Sequence, residues 1–361
     1  MLRSTRMTLA SLTLGLAIGC GIVAVSIESK PVTAGGDVKV SKEVGALRAR
    51  LSGKMRTALS RVEEGKYEDA REITQRLHDA GDVQASYLLG FLKENGLGGP
   101  QDKSGALNLY QIAANEGVAD AQFALGNQAA SRGQYELAYK WLEKAANQDL
   151  PQAQTRLATL YAEGRGGAVN AERAFKLFSA AAEQGDAEGL AGVGIAHLTG
   201  AGASLDYPKA AVAFEQAANL GHAQSQYNLA LLYDSKLLGK PDPAKTHHWM
   251  KAAAENGMAA ANVALGLMAH NGGGSDASGA IPAEYFAKAA EAGDPQGMFL
   301  FAVALAEGDG LEKDETTAVF WLDSVLAAHN ASRELKASAD ALRERLAGEA
   351  SPVVGSLTLR E

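Results

Sequence analysis

AAAEQG (Ala180–Gly185), AANLG (Ala217–Gly221), AAAENG (Ala252–Gly257) and AAEAG (Ala289–Gly293) close four successive segments of this chain, with their glycines at an unbroken spacing of 36 residues. Backward from Gly185 the ladder reaches Asp149 after 36 residues, Gly117 after 32 more and Gly81 after another 36; forward from Gly293 it reaches His329. A fixed period of this length marks a repeat architecture, in which each unit buries its apolar face against its neighbours.

Two helices are legible inside each unit. Four residues past each marker stands a small residue (Ala85, Ala121, Ala153, Gly189, Ser225, Ala261, Gly297), eight past an apolar one, and nine past Gly or Ala (Gly90, Gly126, Ala158, Gly194, Ala230, Gly266, Ala302). Small residues on one face let a second helix approach closely, which defines helix A. Seven before each marker stands a bulky residue (Tyr110, Leu142, Phe178, Phe214, Met250, Phe286, Leu322), mostly followed by an alanine pair. High helix propensity and an apolar stripe define helix B, and the glycine supplies the left-handed residue that ends it. Paired glycines at fixed offsets link A to B in EGRGG (Glu163–Gly167), TGAG (Thr199–Gly202) and EGDG (Glu307–Gly310).

These residues resemble Sel1-like repeats, a branch of the tetratricopeptide-like helix pairs. Leu157, Ala158, Tyr161, Gly164 and Gly166 approximate the motif LGxxYxxGxG. The second repeat departs from it, with GQYELA (Gly133–Ala138) in the place of the paired glycines; GKYEDA (Gly65–Ala70) has the same spacing, so both read as plain tetratricopeptide hairpins with a tight turn. The fifth carries KLLGKPDP (Lys236–Pro243) in its loop. The resemblance implies an all-α, right-handed solenoid of antiparallel helix pairs. The expected organisation is a TPR-like helix pair at 42–81 and seven Sel1-like repeats over 82–330 (about 82–117, 118–149, 150–185, 186–221, 222–257, 258–293 and 294–330). A capping helix at 331–347 and a flexible tail at 348–361 follow.

Residues 7–27 (MTLASLTLGLAIGCGIVAVSI) form an uncharged stretch behind Arg3 and Arg6, long enough at about 1.5 Å per residue to span a bilayer. Residues 1–27 therefore read as an export signal or anchor. Three forms remain open: a lipoprotein signal with Cys20 as the lipidated residue, an uncleaved signal anchor, or a signal cleaved after Ala34. With the arginines left inside, each puts the repeats on the periplasmic side of the envelope, beyond a linker at 28–41. Cys20 is the single cysteine, so an internal disulfide is impossible.

The net charge is −8, and residues 1–30 carry +2 of it, leaving −10 on the remainder. An acidic body argues against nucleic acid or anionic lipid as a ligand. The glycine loops join helix to helix with no following Lys-Ser/Thr, so they read as turns rather than phosphate loops. His247 and His248 are helix neighbours that point about 100° apart and do not share a metal. His197 stands where Tyr161 and Tyr233 stand in other repeats, so it reads as a packing substitute. No nucleophile motif or metal signature is present, and the chain reads as a non-enzyme with no cofactor or metal.

What remains is a surface. Gln122, Gln154, Gln226 and Asn262 share the offset five past the marker, and Arg156 and Asn228 the offset seven past. Amides repeated along helix A either line a groove for an extended peptide or glycan, or are structural groups closing loops. The functional expectation is a membrane-tethered adaptor joining envelope proteins in secretion, exopolysaccharide export or envelope signalling. Direct binding of polysaccharide or peptidoglycan is the alternative, with hydrolysis behind it.

Overall fold

The computed structural model of the chain describes residues 53–272 and 281–349. The readings for residues 1–27 with Cys20, the linker, the start of the helix expected from Lys42, most of the 271–279 loop and the tail from residue 350 lie outside them. The described residues form seventeen helices and no strand, in two compact units divided between Asp206 and Tyr207.

The N-terminal unit holds α1 (Gly53–Glu63), α2 (Tyr67–Asp79), α3 (Val83–Glu94), α4 (Lys103–Asn115), α5 (Ala119–Ser131), α6 (Tyr135–Ala146), α7 (Pro151–Glu163), α8 (Ala171–Glu183) and α9 (Ala187–Thr199). The C-terminal unit holds α10 (Tyr207–Asn219), α11 (Ala223–Asp234), α12 (Pro243–Glu255), α13 (Ala259–His270), α14 (Pro282–Glu291), α15 (Pro295–Glu307), α16 (Glu315–Ala327) and α17 (Arg333–Glu349). Odd-numbered helices through α15 are A helices and even-numbered ones are B helices. Within each unit, every helix packs on its chain neighbours. A helices also meet directly, α5 with α7 and α7 with α9 in the N-terminal unit and α13 with α15 in the C-terminal one.

The repeat pattern explains the packing. All seven bulky residues of the B helices are buried, and the small residue nine past the marker is what admits them. A Cβ on Gly266 would stand 2.4 Å from the Phe286 ring, and one on Gly126 would stand 2.6 Å from Leu142 Cγ. Each marker glycine from Gly81 to Gly293 adopts positive φ. At Gly185, its own N–H donates to Ala182 O and that of Asp186 to Ala181 O, which satisfies the last carbonyls of α8. Asp149 does the same job as a non-glycine, at φ 57°.

The A-to-B connections come in two kinds. α1–α2 and α5–α6 are joined by three-residue turns built on Gly65 and Gly133. Five of the longer loops are locked by one recurrent bond, from the backbone N–H before helix B to a carbonyl near the end of helix A: Asp102 to Lys93, Asn170 to Tyr161, Asp206 to His197, Asp242 to Tyr233 and Asp314 to Leu305. Asp102, Asn170, Asp242 and Asp314 then cap helix B, each side chain accepting from an N–H three residues on. The fifth repeat keeps this lock, although α11 ends on Ser235 in extended conformation instead of a left-handed glycine. At the far end, α17 buries Ala339 and Leu346 against the last hairpin, and Arg343 pairs with Asp323 of α16 at 2.9 Å.

Candidate interaction surface

The repeated amides of the A helices are turned into the stack. Gln122, Gln154 and Gln226 are each 4% exposed and Asn262 is 8% exposed. Nε2 of Gln122 donates to Ala114 O (3.0 Å), that of Gln226 to Ala218 O (3.0 Å) and that of Gln154 to Ala146 O (3.5 Å), all carbonyls at the end of the preceding helix B. On its other side, each Oε1 accepts from the amide just before the next marker: Gln148 onto Gln122 (2.9 Å), Gln184 onto Gln154 (3.0 Å) and Asn256 onto Gln226 (3.0 Å). One glutamine thus ties three successive helices, and Gln122, Gln154 and Gln226 are structural amides, not groove-lining ones. Their partners Gln148, Gln184 and Asn256 were not singled out from the sequence, although an amide recurring one before the marker was a usable signal.

The other two residues of the expected groove differ. Asn228 is half-buried and accepts from Gln224 at 3.1 Å. Arg156 is half-buried and makes no hydrogen bond or ion pair among the described residues, with its Nε fully buried. His197 fills the aromatic slot, edge-on to Phe175 at 5.5 Å, and its Nδ1 donates to Ser204 O at 3.0 Å. His248 is exposed and packs edge-on to Trp249. The aromatics along the A helices are packing groups: Tyr87 stacks on Tyr110 at 5.6 Å and Phe299 is buried. Among the described residues no three His, Cys, Asp or Glu side chains gather as metal ligands.

A polar cluster joins α6, α7 and α8. The Tyr161 hydroxyl donates to Glu143 Oε1 at 3.1 Å, and Arg173 Nη2 donates to the same oxygen at 3.0 Å. The Arg173 guanidinium lies over the Tyr161 ring at 4.5 Å, and Tyr139 packs against it at 5.0 Å. Burial, aided by the bond to the Glu143 carboxylate, pushes the Tyr161 phenol up to about 12. An unfolded tyrosine ionises near its ordinary value while the folded one keeps its proton, so this group's stabilisation is whole below pH 10 or so and is lost as pH rises through 12. In urea titrations across that window the wild type should lose stability relative to Tyr161→Phe. A difference between the two that does not change with pH would refute the assignment.

Stacked antiparallel hairpins, tied by a recurring side-chain clasp, define an α-solenoid repeat protein. The chain belongs to the Sel1 repeat family, whose model matches residues 83–118, 119–150, 151–186, 187–222, 223–258, 259–294 and 295–324. Repeats of this family in general mediate contacts between proteins, and their fold is generally a scaffold rather than an enzyme.

Two solved structures show the same fold. A Sel1 repeat protein from Oxalobacter formigenes is 24% identical over 76% of this chain and 97% of that one, with a TM-score of 0.55. A protective antigen of uropathogenic Escherichia coli strains that displays an SLR fold is 20% identical over 86% of this chain and 82% of that one, with a TM-score of 0.53. No curated protein matches the chain.

Proposed function

We propose that this protein is an adaptor on the periplasmic side of the envelope, tethered through residues 7–27, that brings partner proteins together in an assembly such as secretion, exopolysaccharide export or envelope signalling. The observation that carries the reading is the conjunction of seven tandem Sel1 hairpins with an uncharged 21-residue stretch behind two arginines. No helix among the described residues is long and apolar enough to cross a membrane, so in this reading residues 7–27 are the tether. Direct glycan recognition draws no support from the repeated amides, because Gln122, Gln154 and Gln226 are already bonded between hairpins.

Affinity capture tests the proposal. Full-length chain cross-linked in intact cells and purified from detergent-solubilised envelopes should retain one or a few specific proteins, and a variant lacking residues 7–27 should leave the membrane fraction. Recovery of no specific protein, or a cytoplasmic location for the repeats by protease protection, would overturn it.

A further inference from the structure

Asparagine stands directly before glycine three times in the chain, at Asn95–Gly96, Asn256–Gly257 and Asn271–Gly272, and each of these asparagines is the residue on which a helix ends: α3, α12 and α13. Glycine has no side chain to shield its amide, so here an asparagine side chain can close on the next backbone nitrogen with the least hindrance. The glycine nitrogen, having lost its proton to hydroxide, attacks the asparagine Cγ. The N–Cγ bond forms, the Cγ–Nδ2 bond breaks, and Nδ2 leaves as ammonia after taking a proton from water. A second water then opens the five-membered imide at either of its carbonyls, leaving aspartate or isoaspartate. Two things must happen first: Cγ swings towards the glycine nitrogen, which releases whatever holds Nδ2, and the glycine N–H leaves its own acceptor.

Asn95 and Asn256 are nearly matched in these respects. Both are exposed, and both have helical-region backbone, at φ −92°, ψ −2° and φ −85°, ψ 18°. Nδ2 of each donates to the carbonyl four residues back, Phe91 O at 2.8 Å and Ala252 O at 3.1 Å. The N–H of each following glycine donates three residues back, Gly96 to Lys93 O at 3.3 Å and Gly257 to Ala254 O at 2.9 Å. What sets Asn256 apart is the clasp, in which its Nδ2 also donates to Gln226 Oε1 at 3.0 Å.

We infer that Asn256 is a deamidation site gated by the clasp: its side chain is held off Gly257 while Gln226 accepts from it and cyclises when the end of α12 opens. Helix ends open locally at small cost, so the gate is reversible until the reaction occurs. Afterwards it cannot close. An ionised carboxylate only accepts, and the Gln226 Oε1 that faces it is an acceptor too. Isoaspartate also adds a methylene to the main chain where α12 ends. Deamidation thus turns a passing opening of this hairpin into a permanent one, with hydroxide and water as the only co-reactants.

Peptide mass spectrometry of the full-length chain held in mildly alkaline buffer tests it, with Asn95 as the internal reference. In the wild type, Asn256 should convert about threefold or more slowly than Asn95, the factor that one extra hydrogen bond is worth. Gln226→Leu removes the acceptor and should speed Asn256 by about the same factor. Gln226→Glu keeps an acceptor oxygen for Asn256 while changing the group that faces Ala218 O, so it separates the clasp bond from general loosening of the hairpin. In that variant Asn256 should stay close to its wild-type rate, and Asn95 should keep its rate in both.

Conversion of Asn256 as fast as Asn95 in the wild type, or no acceleration in Gln226→Leu, overturns the gate. Equal acceleration in the leucine and glutamate variants overturns it as well, because fraying rather than the bond would then set the rate. Absence of conversion at Asn256 in the leucine variant shows that it is no modification site.

Discussion

Gly202→Ala should destabilise the N-terminal unit by about 2–5 kcal/mol, far more than the same change at Gly185. Both glycines adopt left-handed φ, +77° and +80°, and a residue with a Cβ pays roughly 1–2 kcal/mol there. Their surroundings differ. A Cβ on Gly185 would meet nothing within 4 Å, whereas one on Gly202 would stand 2.1 Å from Ala171 O and 2.5 Å from Ala171 C, at the start of α8. That neighbour is backbone and cannot rotate away, so the loop must lift off the preceding hairpin. Because a lower unfolded-chain entropy offsets part of the φ penalty, Gly185→Ala should cost only about 1 kcal/mol. Hydrogen exchange over residues 171–199 reads both variants without assuming that the whole chain unfolds in one step. Equal protection loss in the two would show that the contact with Ala171 carries no weight.

The clasp gives the second large effect. Gln226→Leu keeps about the same buried volume while removing the bond to Ala218 O and the acceptor for Asn256. Ala218 O still accepts from the Gly221 N–H at 2.9 Å, so the change removes two hydrogen bonds without orphaning that carbonyl and should cost about 1–2 kcal/mol. Asn256→Ala removes an exposed donor that also reaches Ala252 O, and should cost about 0.5–1 kcal/mol. In a double-mutant cycle the pair should show a coupling of about 0.5–1 kcal/mol. Additivity within error would mean that the two amides are neighbours without being partners. The fourth repeat shows which substitution the chain itself accepts: Leu190 stands at the glutamine's offset and Leu220 just before the next marker, so neither side chain can make this bond. Replacing both partners by apolar groups is the change that leaves no orphan side chain behind.

Much of this was readable without coordinates. The seven hairpins followed from glycines at a fixed period, and the two tight turns from GKYEDA and GQYELA. The small and bulky positions of A and B predicted which residues would face each other, as Gly266 and Phe286 do. Turn geometry, the reading of the paired loop glycines, holds for both members of each pair, since all adopt left-handed φ. The second has a further task, visible only in space: Gly202 abuts Ala171 and Gly98 abuts the Tyr67 carbonyl, each across 31 residues of chain. The groove was the poorest reading. Offsets five and seven looked equivalent as polar stripes on helix A, yet the first is buried between hairpins and the second holds Arg156 at the edge of them.

The helix ends at the marker glycines, the tight turns and the repeat number are set by forces acting within a few residues: left-handed φ at glycine and periodic apolar burial. The amino-acid order alone was enough to decide them. Which polar side chains are ties and which are open to a partner depends on how far each A helix is rotated against the B helix before it. A rotation of one residue, about 100°, exchanges the roles of neighbouring positions, and that angle is fixed only when the hairpins pack. Three-dimensional packing therefore made Gln122, Gln154 and Gln226 part of the scaffold and left the Arg156 charge without a counter-ion.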